Sequence, residues 1–172
     1  MAIILETARL MLTSPTMDDI HQWSILNDMS EKMMQPQLEH YITNYQIYGF
    51  SMGSVYLKSA NCFIGRAGLF YYYCSDNKKS RNIEMGCELH EDYQNQGYGT
   101  ELSKALIEFG FKKMYIAKIT ALTKPNNIHS QYLLEKVGMR YKKKIKVGDE
   151  LFVLYEIKSD DILYKTFTSA VS

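Results

Sequence analysis

The chain has 172 residues, of which 46% are hydrophobic and 23% are charged, and its formal net charge at pH 7 is +1. This length predicts one domain that buries a sizeable core. The near-balanced charge provides no general attraction to nucleic acid or membranes, so we expect neither as a partner, and any ligand has to be identified from a local site.

The first half of the chain is predicted to form short strands and two helices. Thr16 precedes two acidic residues, which is typical of a helix start, and Gly49 follows the second helix. Apolar residues alternate with polar or small ones over residues 83–89, as in a half-buried strand. The predicted ranges are a strand at 10–13, helices at 16–27 and 37–48, and strands at 54–58, 62–73 and 83–89.

The second half is predicted to contain two helices, a strand and a hairpin. Apolar residues at 102, 105, 106 and 109 share one face of a helix that ends near Met114. Asn127 is a suitable cap for the next helix, which ends at Gly138. The remaining predicted ranges are a strand at 119–123 and hairpin strands at 140–147 and 151–157.

This order of elements predicts an α/β (α+β) fold. We expect a mixed, mostly antiparallel sheet of six or seven strands flanked by about four helices. Residues 1–158 are assigned to one domain, and residues 159–172 to a peripheral C-terminal tail.

The N-terminal segment MAIILETARLML is apolar but contains Glu6 and Arg9. It lacks the basic start and cleavage site of a secretory signal, and no run approaches the ~20 apolar residues of a membrane span. Cys62, Cys74 and Cys87 fit free thiols in a reducing compartment better than a disulfide scaffold. We therefore expect a cytoplasmic protein, and the four scattered histidines predict no metal site.

The segment QNQGYGTEL, residues 94–102, places two glycines where a predicted strand leads into a helix. Unpaired N–H groups at a helix start, with the positive end of the helix dipole behind them, favour an anion. A dinucleotide fingerprint would require a third glycine where Leu102 stands, and a P-loop would require a lysine after the glycines. Two nucleotide interpretations are thus excluded, and the simple alternative is that Gly97 and Gly99 only permit a tight turn.

The pattern Q-x-x-G-x-G at residues 94–99 resembles the acetyl-CoA pyrophosphate signature of the GNAT superfamily of N-acetyltransferases. Residues 125–141 resemble a second element of that family, N-x-x-S-x-x-x-x-E-K-x-G-F, with Met139 in place of the usual Phe. NIEMGCELHEDYQNQGYGTEL and LETARLMLTSPTMDDI further resemble the RimJ/RimL-like branch, which acetylates N-terminal amines of ribosomal proteins and other substrates. The resemblance spans residues 5–157 and implies a sheet splayed open between the fourth and fifth predicted strands.

The resemblance implies acetyl-CoA as co-substrate and no metal. Backbone N–H groups of the loop and helix start would hold the pyrophosphate, and the end of the preceding strand would pair with the pantetheine arm. The implied cofactor-binding residues are Cys87, Glu88, Leu89, Gln94, Asn95, Gln96, Gly97, Tyr98, Gly99, Thr100 and Asn127. Helix capping is an equal alternative for Asn127.

The resemblance also implies direct attack of a primary amine on the acetyl thioester. Ser130 matches a serine proposed to protonate the leaving thiolate, with a small residue under a close-packed cofactor as its alternative. Many relatives carry a tyrosine acid where this chain has Leu134, so that acid is in doubt, and neither Tyr132 nor Tyr141 matches its position. Glu84 is the candidate base; its alternative is an ordinary charged residue on a solvated face.

The acceptor is expected to be a protein or peptide N-terminus, or a small amine. An α-amine is about one-tenth neutral at pH 7, whereas a lysine is neutral at only about 0.04%, so a weakly equipped site favours an α-amine. The alternatives are a polyamine or aminoglycoside acceptor, and a non-catalytic acyl-CoA-binding or regulatory module. The sequence leaves the oligomeric state open, with a homodimer among the options.

Overall fold

The computed structural model of the protein describes residues 1–72 and 82–161. Its eight strands are β1 (Ile3–Glu6), β2 (Leu10–Thr13), β3 (Met52–Leu57), β4 (Cys62–Tyr72), β5 (Asn82–Leu89), β6 (Lys118–Thr123), β7 (Arg140–Val147) and β8 (Glu150–Lys158). Four α-helices lie wholly within this described part: α1 (Ile20–Leu26), α2 (Glu31–Tyr48), α3 (Tyr98–Lys112) and α4 (Ile128–Lys136). Single 3₁₀ turns precede α1 at Met17–Asp19 and α3 at Glu91–Tyr93.

The strands follow the order β1-β2-β3-β4-β5-β6-β8-β7 in one sheet. The pairings of β1 to β4 and of β6 to β8 are antiparallel, whereas β5 and β6 run parallel. The predicted fold class, a mixed and mostly antiparallel sheet with helices, is confirmed. One strand more than predicted is present, because β1 forms a ladder with β2.

The chain forms two compact units. The first comprises Met1–Tyr71 and Met85–Leu106, and the second comprises Tyr72–Glu84 and Ile107–Ser172. Strand β5 therefore contributes to both, with the change between Glu84 and Met85. The predicted tail lies outside the described residues from position 162 onward, and the predicted boundary at residue 158 stays a prediction.

The core of the first unit is built where α1 and α2 pack on the sheet. Its fully buried members are Trp23, Met34, Leu38 and Met52. Met34 and Leu38 lie four residues apart on α2 and share one face of this helix, whereas Trp23 comes from α1 and Met52 from β3. In the second unit, the buried apolar side chains include members of β6 and β8 and residues at and just after the end of α4: Ile119, Ala121, Leu134, Val137, Met139, Val153, Tyr155 and Ile157.

Helix α2 starts six residues before its predicted start at position 37. Ser30 has extended backbone angles (φ −70°, ψ 151°), and its carbonyl oxygen accepts hydrogen bonds from the N–H groups of Met33 and Met34. Pro36 lies inside the helix with its ring exposed to solvent. Met34 and Leu38, which precede and follow the proline, are both buried. Their burial stabilises the helix on both sides of a residue that would otherwise interrupt it.

Candidate active site

The ladder between β5 and β6 is short. Among the described residues it consists of the pairs Ile83–Ile119 and Glu84–Thr120, and the Thr120 hydroxyl donates to the Ile83 carbonyl oxygen at 3.0 Å. Glu84 therefore occupies the last paired position of β5 on this side.

Glu84 is a buried carboxyl group. The residue is only 9% exposed, and within residues 1–72 and 82–161 its side chain has neither a hydrogen bond nor an ion pair. Burial raises the pKa of Glu84 to about 7 because the ionised form loses its hydration. The alternative interpretation of Glu84 as a charge on a solvated face is thus wrong. The residue is equipped to exchange a proton near neutral pH.

The end of β5 lies close against β4. A Cβ atom on Gly65 of β4 would stand 2.2 Å from the Glu88 carbonyl oxygen, so only glycine allows the two backbones this approach. Cys87, the residue before Glu88, is half-buried, and desolvation raises the pKa of its thiol to about 12. The thiol is therefore protonated and unreactive at neutral pH.

Arg66 of β4 holds the Glu88 side chain, and the sequence analysis missed this contact. Arg66 Nε donates to Glu88 Oε2 at 2.8 Å, and the Arg66 side chain is 10% exposed. Its other nitrogens donate to Gln37 Oε1 at 3.2 Å and to Asn27 Oδ1 at 2.7 Å. The guanidinium carbon also lies 5.2 Å from the centre of the Trp23 ring. The planar fork of Arg66 thus links β5 to α2 and to the end of α1.

The loop after β5 is closed by its own amide side chains. Gln94 Nε2 donates to the Leu89 carbonyl oxygen at 2.9 Å, and Gln96 Nε2 donates to the Asp92 carbonyl oxygen at 2.7 Å. Both glutamines therefore shape the loop through their side chains, and both are exposed residues.

The loop enters α3 with two residues in the left-handed backbone region. Asn95 has φ +59° and Gly97 has φ +81°, backbone angles that also occur in the concave loops that bind anions through their N–H groups. Glu101 N–H donates to the Gly97 carbonyl oxygen at 3.0 Å and closes the first helical turn. The N–H groups of Tyr98, Gly99 and Thr100 precede this bond, so they have no carbonyl partner one turn earlier in the helix.

A cluster around Arg9 braces this loop, and it also escaped the sequence analysis. Arg9 Nη1 donates to the Gln96 carbonyl oxygen at 3.1 Å, and Arg9 Nε lies 2.6 Å from Glu101 Oε2. The Arg9 guanidinium carbon is 4.3 Å from the centre of the Tyr98 ring. The hydroxyl of Thr7 donates to the same carboxylate at 2.6 Å.

The predicted residues of α4 lie at its first turn. Asn127 Oδ1 accepts the Ser130 N–H at 3.0 Å, which confirms Asn127 as the helix cap. Ser130 is half-buried, and its hydroxyl has no hydrogen-bond partner within the described ranges. Leu134 is buried, while Tyr132 and Tyr141 are largely exposed.

A tyrosine outside the predicted set also contacts α4. The hydroxyl of Tyr155 in β8 donates to Glu135 Oε1 at 3.1 Å and also lies 3.4 Å from Gln131 Oε1. Burial and the Glu135 carboxylate raise the pKa of Tyr155. Because the hydroxyl proton of Tyr155 is already donated to Glu135, we assign Tyr155 a structural role in the second unit.

The predicted site residues therefore form two groups, one in each unit. Cys87 to Thr100 belong to the first unit, and Glu84, Asn127 and Ser130 belong to the second. In the described part of the chain, no cluster of three histidine, cysteine or acidic side chains is arranged to hold a metal ion. No helix of that part is long and apolar enough to cross a membrane.

Comparison with known proteins identifies the family. The acetyltransferase (GNAT) domain matches residues 9–140, which cover more than half of the chain and include the glycine loop and the start of α4. The chain belongs to the GNAT acetyltransferase family. Members of this family take their acetyl group from acetyl-CoA.

One curated relative of this GNAT protein is the uncharacterized N-acetyltransferase YnaD of Bacillus subtilis. The two are 37% identical over 100 residues, which span 56% of this chain and 56% of YnaD. Similarity is thus documented for about half of the relative's length.

Solved structures of low sequence identity share the GNAT fold. The putative GnaT-family acetyltransferase from Bordetella pertussis has a TM-score of 0.78 at 19% identity, covering 88% of this chain and 97% of its own. RimL, a ribosomal L7/L12 α-N-protein acetyltransferase solved with coenzyme A, has a TM-score of 0.74 at 15% identity, covering 92% and 99%. The spermidine N-acetyltransferase SpeG from Vibrio cholerae has a TM-score of 0.73 at 15% identity, covering 93% and 99%.

Proposed function

We propose that this GNAT protein transfers the acetyl group of acetyl-CoA to a primary amine, and that its preferred acceptor is an α-amine of a peptide or protein. The observation that carries the proposal is the exposed loop at Gln94–Gly97 leading into α3, within the range matched by the family. Acetyl-CoA supplies the activated acetyl thioester.

The residues of the loop fit a pyrophosphate. The N–H groups of Tyr98, Gly99 and Thr100 stand at the positive end of a 15-residue helix. Left-handed angles at Asn95 and Gly97 expose further backbone donors beside them. The cofactor set then consists of this loop, Gln94 and Gln96 as its internal braces, and the backbone of Cys87, Glu88 and Leu89.

Glu84 and Ser130 are the proposed catalytic residues. A carboxyl group with a pKa of about 7 is partly ionised at neutral pH, so Glu84 is able to take a proton from an ammonium acceptor. The unengaged hydroxyl of Ser130 is the proposed donor to the leaving thiolate. Asn127 caps α4 and so fixes the backbone beside Ser130.

The preference for an α-amine follows from proton affinities. An α-amine with a pKa near 8 needs little help to become neutral, whereas a lysine side chain near 10.4 needs a stronger base than a group of pKa about 7. RimL and SpeG share the fold but differ in acceptor by their names, so the fold itself does not select between peptides and polyamines. On the basis of this preference we propose that the protein belongs to the RimJ/RimL-like branch.

The test measures thiol release from acetyl-CoA with four acceptors at equal concentration. They are a peptide with a free N-terminus and no lysine, the same peptide with a blocked N-terminus and one lysine, spermidine, and an aminoglycoside. We expect turnover with the free N-terminus and little with the blocked peptide. Faster turnover of spermidine or the aminoglycoside would overturn the acceptor assignment, while binding of coenzyme A without turnover of any amine would favour a non-catalytic module.

A further inference from the structure

Arg9 contacts the glycine loop from the turn between β1 and β2. It makes one hydrogen bond to the Gln96 carbonyl oxygen at 3.1 Å and one ion pair with Glu101 at 2.6 Å, and it stacks on the Tyr98 ring. Its backbone N–H also donates to Glu101 Oε1 at 2.9 Å. These contacts join three successive parts of the loop and helix start to a single side chain.

The bond to the Gln96 carbonyl determines where the next N–H group points. The Gln96 carbonyl and the Gly97 N–H belong to one planar trans peptide, in which the C=O and N–H bonds point in opposite directions. Because Arg9 holds the carbonyl oxygen, the Gly97 N–H is directed away from Arg9. The guanidinium thereby orients a donor of the loop without using that donor itself.

Arg9 also compensates a negative charge beside the loop. Glu101 lies in the first turn of α3, where its carboxylate would repel a bound anion. Burial raises the pKa of Glu101, but hydrogen bonds from Thr7 and Arg9 outweigh it and hold the pKa below its usual value. Glu101 is therefore ionised at neutral pH, and its nearest cation is Arg9.

We propose that Arg9 is a positioning residue for the pyrophosphate of coenzyme A, acting through the Gln96–Gly97 peptide and through neutralisation of Glu101. This inference rests on the proposed function, since it assumes that the loop binds that pyrophosphate. It assigns to the turn before β2 a role in donor binding that neither the glycine signature nor the α4 element contains.

The experiment compares Arg9→Met with the wild-type protein. Methionine keeps an apolar stem and removes the guanidinium. We expect the dissociation constant of coenzyme A, measured by calorimetry, to rise about tenfold, as for loss of a charge-assisted contact at a partly exposed site. Turnover of acetyl-pantetheine, which lacks the pyrophosphate, should stay unchanged.

Two further variants separate orientation from charge. Arg9→Met combined with Glu101→Gln removes the uncompensated carboxylate and should recover part of the lost affinity, while Arg9→Lys should lie between Arg9→Met and wild type. Lys58→Met is the matched control, because Lys58 pairs with Glu6 and donates to the Thr7 carbonyl in the same hairpin but does not touch the loop.

Each outcome decides a different claim. If the wild-type protein fails to bind coenzyme A, the proposed function itself is overturned. If wild type binds and Arg9→Met binds equally well, only the role of Arg9 is overturned. Equal losses with coenzyme A and acetyl-pantetheine would also overturn it, because the change would then be a general distortion of the unit, which the melting temperature would report.

Discussion

At the scale of single residues, two carboxyl groups in the described part of the chain are buried, one with hydrogen-bond donors around it and one without. Asp19 is 3% exposed and is surrounded by donors, with Thr16 N at 2.7 Å, Thr16 Oγ1 at 3.1 Å and Ser54 Oγ at 2.7 Å. Glu84 is similarly buried and has no donor within the described ranges. A buried polar group that is hydrogen-bonded supports the fold, whereas one without partners costs free energy and is common at functional sites.

The first prediction concerns the pH dependence that Glu84 produces. The pKa of this carboxyl is about 7 in the folded chain and near 4.5 when exposed, so the folded state binds the proton more tightly. Its contribution to stability is fully present below pH 4.5, decreases as pH rises, and is lost above pH 7. Glu84→Gln, which cannot ionise, should therefore gain stability relative to wild type between pH 5 and 8, by on the order of 2 kcal/mol.

The same variant tests the catalytic role of Glu84. If the ionised carboxylate is the base, the wild-type rate should rise with pH through about 7, and Glu84→Gln should be slower and lose this limb. Urea unfolding and a pH–rate profile on the same preparations measure both effects. An unchanged rate profile in a folded Glu84→Gln protein would remove Glu84 from the mechanism.

Asp19 provides the second prediction. Removing its carboxylate in Asp19→Ala leaves the buried Ser54 hydroxyl, which also accepts from Trp23 Nε1 at 2.8 Å, without its acceptor. We expect a loss of about 2–4 kcal/mol in the free energy of unfolding. Asp18→Ala, at the adjacent exposed position, removes the same charge and should change it by less than about 0.5 kcal/mol. Equal effects of the two variants would contradict the burial argument.

At the scale of elements, the short helix α4 depends on its cap. It has nine residues, a length at which an isolated helix is only marginally stable. The hydrogen bond from Ser130 N–H to Asn127 Oδ1 therefore contributes to the stability of α4. We expect Asn127→Ala to lose about 1 kcal/mol in urea unfolding, and Asn127→Asp, which retains a capping oxygen, to recover most of it.

The same pair of variants separates capping from cofactor contact. If Asn127→Asp restores both stability and the KM for acetyl-CoA, capping accounts for the residue. If stability returns while the KM stays raised, the amide also contacts the pantetheine arm. An aspartate variant as unstable as the alanine variant would show that the cap bond is unimportant.

At the scale of the whole molecule, the sheet ends at β7, a strand whose lysines discourage further pairing. β7 is last in the strand order, and Lys143, Lys144 and Lys146 are all exposed. Charged side chains on an edge strand oppose the addition of strands from other molecules. Replacing these three lysines by glutamine should increase self-association in sedimentation velocity.

The control for this variant changes the same charge elsewhere. Lys32, Lys104 and Lys113 are exposed positions of helices or their ends, and their replacement by glutamine alters the net charge equally. The helical triple should remain as dispersed as wild type. Association of both triples to the same degree would assign the effect to net charge and contradict the role of the edge.

The sequence predicted the elements with strong local patterns and missed those that depend on distant partners. The glycine loop and the Asn127 cap were predictable, because a few neighbouring residues determine each. Strand β1 was missed because four residues acquire their strand identity only from the ladder with β2. The first turns of α2 were not predicted because Pro36 disfavours a helix locally. The burial of Met34 and Leu38, which stabilises the helix, depends on contacts with other elements.

The supporting residues of the candidate site were not predictable for the same reason. Arg9 and Gln96 are 87 positions apart in the chain, and Arg66 and Glu88 are 22 apart. Such arginines have no local signature, because their partners are chosen by the packing of separate elements. The burial of Glu84 was likewise not predictable, because its alternation with apolar neighbours is typical of a strand that has one solvent-exposed face.

The reactivity of the Cys87 thiol reports on the opening of strand β5. With a pKa of about 12, only about one thiol in 10⁵ is ionised at neutral pH, so the folded thiol reacts slowly with alkylating reagents. In a Cys62→Ser/Cys74→Ser variant, the rate of alkylation of Cys87 should therefore be limited by transient opening of β5. Bound acetyl-CoA should stabilise the closed strand and lower this alkylation rate. Mass spectrometry of the alkylated fraction over time would then count the openings of the strand on which the proposed cofactor lies.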